Sequence, residues 1–486
     1  MANIREWRWG GRGSLIFFAL LSLAGIVIFL WLGGSHLDHE PPWLNLQPPD
    51  EVVGSKSLFY LEAGDRESGL KEARVTITQG NLEKELLTRR FPPEGTPGEQ
   101  VRLPMTVEPQ AMGLKEGKAR ITATVWDRSW RNWFRGRTTT LSREVVIDLV
   151  PLHLAFISAN ANLHAGGTGI IRYRVSKPVK ESGVAIDGRF FAGFPVPGGP
   201  QGEYVALFAL PREAPGAVAA EVVARPQVGP PVQQRVSLKL KPRRWRHDKL
   251  NLSENFMSRV AASFQVSKAG DPLAAFLEVN RELRRVNHER LRQVSSQSRP
   301  QPLWSGGFQR FPGKAMARFG DRRSYIYQGR QVDQQEHLGE DLASLVHSPV
   351  PAANNGVVVL AEPLGIYGET VMLDHGLGVF SMYSHLSQIS VKVGEELKKG
   401  AVLGKTGATG LAAGDHLHFS IALQGEFVDP LEWWDPRWQK SQVEGQFKSA
   451  GAPAPEKAAA TPAKAGKGKS KGKGKPKSSK AKRPPP

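Results

Sequence analysis

The feature that most limits how this chain can fold is a two-residue alternation of apolar and polar side chains, in short runs punctuated by Gly and Pro. Arg74-Val75-Thr76-Ile77-Thr78 alternates, as does Ala119 to Trp126, and Glu144 to Leu149 closes a first unit before Pro151. Successive strand residues point to opposite faces, so each run supplies one face for burial. With no helical pattern between the runs, residues 53–150 are predicted to form a β-sandwich module. Residues 151–242, with Gly169 to Val175 and Glu203 to Phe208, are predicted to form a second, and both read as immunoglobulin-like. The predicted class is mainly β.

The period then changes. Phe256, Met257, Val260 and Phe264 share a helical face, and Asp271-Pro272 is an N-cap followed by Pro in the first turn. Phe276, Val279, Leu283 and Val286 continue as a helical stripe, so residues 243–298 read as a helical linker. Residues 299–438 return to Gly-punctuated strands. Residues 449–486 hold almost only Ala, Pro, Gly, Lys and Ser, cannot bury a core, and are predicted to be disordered.

At the other end, Ser14 to Leu32 is an uncharged run of 19 residues. As a helix it would span roughly 28 Å, close to the hydrocarbon thickness of a bilayer. Arg5, Arg8 and Arg12 precede it, while Asp38, Glu40, Asp50 and Glu51 follow. Positive charge before the run puts residues 1–13 in the cytoplasm, 14–32 in the inner membrane as an uncleaved signal anchor, and the stem 33–52 with the bulk of the chain in the periplasm.

The charge of +19 would ordinarily point to nucleic acid. Its location argues otherwise: residues 451–486 hold ten Lys, one Arg and one Glu, about half of the excess. An exported tail of this kind suits anionic wall polymer or lipid headgroups, and no nucleic-acid partner is expected. Cys is 0, which excludes thiol nucleophiles, disulfides and thiolate zinc sites. A metal here must be held by His, Asp or Glu.

Six of the 12 histidines lie between His337 and His418. In Asp415-His416-Leu417-His418-Phe419-Ser420-Ile421, a strand would put His416, His418 and Ser420 on one face and Leu417, Phe419 and Ile421 in a core. His337-Leu338-Gly339-Glu340-Asp341 is an H-x-x-x-D spacing in which Gly339 disfavours a helix, so a loop entering a strand is predicted. Tyr383-Ser384-His385-Leu386 follows an apolar strand. Alone, each reads as readily as a surface or hydrogen-bonded histidine.

Together, in this order, the segments resemble the lysostaphin-type (LytM-like) zinc metallopeptidases, which cut peptide cross-links of peptidoglycan. The likeness covers about Phe308 to Trp438 and includes Gly365-x-Tyr367-Gly368, Asp374-His375-Gly376 and the Gly turns of 394–410. The resemblance implies His337, Asp341 and His418 as ligands of one Zn²⁺, with His385 and His416 as the catalytic histidines. Two imidazoles and one carboxylate leave a fourth position for a water that attacks the scissile carbonyl. No H-E-x-x-H is present, so an imidazole would take the water proton, and the sequence does not say which. His375 and His347 read as structural, and Glu340 as a solvated charge. Gly400 to Thr406 mimics a phosphate loop but has three residues between its glycines rather than four. The expected function is a membrane-anchored zinc endopeptidase acting on peptidoglycan stem peptides, at a D-alanyl to diaminopimelate bond or a glycine bridge. The other reading is a non-catalytic envelope scaffold or activator of other hydrolases.

Overall fold

The computed structural model describes residues 16–17, 19–27, 40–49, 51–92, 98–131, 135–213, 216–268 and 270–447. The predicted tail 449–486 lies outside them. Of the predicted membrane span 14–32, residues 16–17 and 19–27 are helical, with Ile16, Leu20, Leu21 and Leu23 exposed, and the remainder lies outside the described residues. Among the described residues no helix is long and apolar enough to cross a membrane.

The alternating strands of the first unit form two sheets. One has the order Trp43–Gln47, Ser57–Gly64, Gln100–Val107. The other runs Val52–Val53, Thr138–Ile147, Gly117–Asp127, Leu70–Gln79, Leu82–Arg90. Phe59, Leu61, Val75, Ile77, Ile121 and Val125 fill the space between them. In the loop 126–134, Asp127 is buried and accepts from Ser129 N and Arg137 N, while residues 132–134 lie outside the described residues.

The second unit also has two sheets. Phe194–Pro195, Glu203–Ala209, Thr168–Val175 and Leu154–Ala159 form one, and Arg189–Ala192, Glu181–Ile186, Ala217–Arg225 and Val232–Lys239 the other. Here burial runs along nearly the whole length of Thr168–Val175 and Glu203–Ala209 instead of alternating, and the reason is visible in the packing. Ile171, Tyr173 and Phe208 face the unit's own core, whereas Ile170, Val205 and Leu207 pack into the core of the C-terminal domain. Arg172, 3% exposed in the same strand, is ion-paired with buried Glu203 and donates to Gln446 O at 3.0 Å.

The C-terminal domain centres on an antiparallel sheet. Its order is Lys314–Ala317, Glu340–Ala343, Leu417–Leu423, Val379–Leu386, Glu369–Asp374, Gly356–Pro363, Glu396–Leu397, with Glu426–Val428 also paired to Leu417–Leu423. One face, with Leu417, Phe419, Ile421, Val371, Leu373 and Tyr383, packs against Trp433, Phe308 and the second unit. The other face, with Phe380, Met382, Met372 and Ala422, is roofed by the segment predicted to be a linker.

That segment is integral to the domain. His247–Asn251 is a strand, parallel to Arg322–Tyr327, and Met257, Val260, Phe276, Val279 and Leu291 are buried in the same core as Phe380 and Met382. The helix Pro272–Glu278 continues into Arg284–Val294 through a π-helical turn, Val279–Leu283. The wider turn inserts a residue and rotates the stripe. Val286, predicted to face the core, is exposed, and Asn287 and Leu291 are buried in its stead. Gly400 to Thr406 holds a turn and the strand Val402–Lys405, and the next element is the strand Leu417–Leu423 instead of a helix.

Candidate active site

The site sits on the roofed face. Asp341 on Glu340–Ala343 lies directly across the ladder from His418 on Leu417–Leu423, and His418 in turn is opposite Ser384. The period-2 rule explains the second strand: Leu417, Phe419, Ile421 and Leu423 go to one core and His418 and Ser420 to the other face. His337 reaches the same point from the loop after Arg330–Glu336. Gly339 makes the approach possible. A Cβ there would stand 2.5 Å from Phe419 O and Ser420 Oγ and 2.7 Å from His418 Nε2.

Three atoms converge. Asp341 Oδ1 is 2.9 Å from both His337 Nε2 and His418 Nδ1, and the two nitrogens are 3.0 Å apart. The outer nitrogens fix the tautomers. His337 Nδ1–H donates to Arg318 O at 2.9 Å. Ser420 Oγ–H donates to Leu338 O at 2.8 Å, so His418 Nε2–H donates to Ser420 Oγ at 3.0 Å. Both inner nitrogens therefore present lone pairs beside a carboxylate oxygen. Three acceptors turned on one point repel unless a cation lies between them, and two imidazoles with one carboxylate are a donor set that zinc accepts. The residues present fit such an ion.

The other two histidines flank this point. The His385 ring is 4.9 Å from that of His416 and 5.8 Å from that of His418. His416 Nε2 is 3.5 Å from Asp341 Oδ1. His385 Nδ1–H donates to Thr409 O and His416 Nδ1–H to Gly414 O, each at 2.8 Å, which leaves both Nε2 atoms as acceptors. His385 has φ 60°. Regular alternation from Tyr383 would send it into the core behind the sheet. The left-handed residue reverses the phase, so Leu386 joins Tyr383 in that core and His385 turns to the site.

Burial and charge set the protonation states. Burial pushes His385 down to about 3, and His418 and His416 add to that. Burial also takes His418 down to about 4, against the pull of Asp341. At His416 burial is outweighed by hydrogen bonding to Asp341 and by its charge, and the pKa is raised. The five residues singled out in the sequence, His337, Asp341, His385, His416 and His418, thus share one groove of about 440 Å³, walled by Leu250, Phe256, Met316, Ile366 and Leu411.

Glu340 differs from the sequence reading, whereas His375 is structural as expected. Glu340 is 2% exposed, accepts from Phe319 N at 3.0 Å and is pushed up to about 7 by burial, so it is not a solvated charge. Its strand neighbour Asp341 faces the groove, so alternation turns Glu340 inward. His375 is buried between Asn355 O at 2.6 Å and Ser381 Oγ at 2.7 Å. His347 is exposed at 4.0 Å from Asp415. Sequence reasoning missed Arg323, whose Nη2 donates to Asp341 Oδ2 at 3.0 Å, and Thr409, whose carbonyl holds His385. Neither lies in a local motif. Ser420 carried a usable signal, being two residues beyond His418 on the same face.

Residues 335–430 match the model of Peptidase family M23. Over 130 residues the chain is 36% identical to an uncharacterized metalloprotease of Haemophilus influenzae, covering 26% of this chain and 27% of that one. Over 129 residues it is 32% identical to the peptidoglycan DD-endopeptidase ShyA of Vibrio cholerae, covering 26% and 29%. The chain spans less than a third of the length of these curated relatives. A crystal structure of a peptidase M23 from Pseudomonas aeruginosa is similar at 23% identity and TM-score 0.37, covering 57% of this chain and 96% of that one. The segment that holds all five groove residues, from His337 to His418, is a domain of peptidase family M23.

Proposed function

We propose that the protein is a zinc metalloendopeptidase that hydrolyses peptide cross-links of peptidoglycan. The observation that carries this reading is the convergence of His337 Nε2, Asp341 Oδ1 and His418 Nδ1 within about 3 Å of one another, flanked by the rings of His385 and His416. The family match and the printed activity of the Vibrio cholerae relative support the substrate class.

His337, Asp341 and His418 would hold the zinc. Bound there, zinc supplies Lewis acidity: it lowers the pKa of a water and polarises the scissile carbonyl. His416 is assigned the proton. Its pKa is raised by Asp341, and its Nε2 can accept the water proton and then return it to the leaving amine. His385, held neutral by burial and fixed through Thr409, presents Nε2 to orient the attacking water. The apolar groove wall sheds water around an extended peptide.

The same reading takes residues 14–32 as an inner-membrane anchor, supported by their uncharged run and the preceding arginines. The peptidase domain then faces the periplasm, and the Lys-rich tail touches anionic wall polymer or lipid headgroups. Digestion of purified peptidoglycan by the zinc-loaded chain, with mass spectrometry of the fragments, tests the activity. Conversion of cross-linked dimers to monomeric stem peptides is expected, and dimers left intact would overturn it.

A further inference from the structure

Among the described residues, one cation that lines the groove has no carboxylate partner. Two cavities meet at the helix Arg284–Val294: the active-site groove and a neighbouring one of about 570 Å³ between the second unit and the peptidase domain. Five arginines line them. Arg323 pairs with Asp341, Arg212 with Glu336, and Arg189 and Arg292 both with Glu426. Arg284 lines both cavities and, among the described residues, has no carboxylate partner.

Its position is built. The π-helical turn Val279–Leu283 immediately precedes it, and such turns recur at functional sites because they re-aim one side chain. Arg284 Nε–H donates to Asn280 O at 3.1 Å and Nη2–H to Asn280 Oδ1 at 2.8 Å. That fixes the guanidinium plane with two of its five N–H donors. The next turn of the helix is tied to the groove wall: Asn287 Oδ1 accepts from Ile366 N, and His288 Nε2 lies 2.9 Å from Tyr367 Oη. Tyr367 in turn touches the His418 ring, with centroids 5.8 Å apart. Arg284 therefore stands beside the wall that shapes the metal end of the groove. A guanidinium held in place without an acid keeps its remaining N–H donors for a ligand.

We propose that Arg284 is a specificity residue that binds a free carboxylate on the peptide lying in the groove. The inference rests on the peptidase reading for its substrate class. The fork geometry of guanidinium suits a carboxylate and not its amide. On a diaminopimelate cross-link the group in question is the carboxylate next to the scissile amide.

The test uses two cross-linked muropeptides that differ only there, as free acid or as carboxamide. Binding of each is measured by calorimetry to the full chain in the His416→Ala background, so that the peptide survives the titration. A preference of about 10- to 100-fold for the acid is expected, the range for a charge-assisted pair. Adding Arg284→Met should bring the ratio close to one, and Arg284→Lys should keep part of it. A ratio near one before Arg284 is changed, or an undiminished ratio in Arg284→Met, overturns the proposal. The unmutated chain is then given both muropeptides. Acid-selective binding with neither cleaved would sink the peptidase reading and leave the carboxylate site standing.

Discussion

The strand Gly117–Asp127 of the first unit alternates apolar and polar residues, whereas Val379–Leu386 of the peptidase domain mixes them without that period, and their surroundings differ accordingly. The first buries Ala119, Ile121, Ala123 and Val125 and leaves Thr122 and Thr124 at the surface, where Thr124 pairs with Thr140 at 3.2 Å. The second is buried along its whole length, between the core of Tyr383 and that of Phe380. A polar residue on a one-sided strand has water as its partner. On a two-sided strand it needs a protein partner or costs about 1–3 kcal/mol. Ser381, Ser384 and His385 are such residues, and all three are bonded. His418 and Ser420 on the adjoining strand are likewise bonded. Buried polar groups on the two-sided strands are where the chemistry lies.

Substitutions on either strand test this difference. The largest effect is expected from His385→Ala, which should retain zinc and lower turnover about 10²- to 10⁴-fold, the usual worth of a positioned acid–base group. Steady-state kinetics beside metal analysis checks it, and unchanged turnover would remove His385 from the mechanism. Ile421→Ala, in the wholly buried strand Leu417–Leu423, should cost about 2–5 kcal/mol by denaturant unfolding, as a cavity among well-packed side chains. Thr124→Ala on the one-sided strand should stay within about 0.5 kcal/mol. Comparable losses would mean that the two strands are not differently buried.

Gly339→Ala should weaken zinc binding about 10- to 100-fold by pushing against Ser420 and His418, the scale seen when groups behind metal ligands are disturbed. Chelator competition measures it, and an unaltered dissociation constant would show that the loop yields. The smallest effect concerns pH. Burial pushes His375 down to about 4, below its ordinary 6.5. The unfolded chain then binds the extra proton first, so this contribution to stability is whole above about pH 6.5 and is lost as pH falls toward 4. The slope is at most about 1.4 kcal/mol per pH unit. Unfolding midpoints at several pH values should fall less steeply in His375→Gln than in the unaltered chain, and parallel curves would show that His375 is not held neutral.

What was legible in the sequence follows the same division. The alternation from Leu417 to Ile421 could be read directly, because a strand's period is fixed by its backbone, and it put His418 and Ser420 on one face. The H-x-x-x-D segment was legible as a loop entering a strand because Gly339 disfavours a helix. The phase of His385 was not legible, since its left-handed backbone defeats the period that would predict its direction. Nor was the role of residues 243–298. A helical stripe states that a face is buried and not against what, and the π-helical turn shifts that stripe by a residue. Arg323 and Arg284 give no local signal, because what defines them is a charge partner, present or missing, far away in the chain.

His337, Asp341 and His418 are expected to form a single cage for one divalent ion. Metal analysis of the purified full chain, dialysed against zinc and then against buffer, beside the His418→Ala variant, tests it most directly. One zinc per chain is expected, and none in the variant at equal protein concentration. A chain that retains no zinc, or a variant that keeps its full complement, would contradict it.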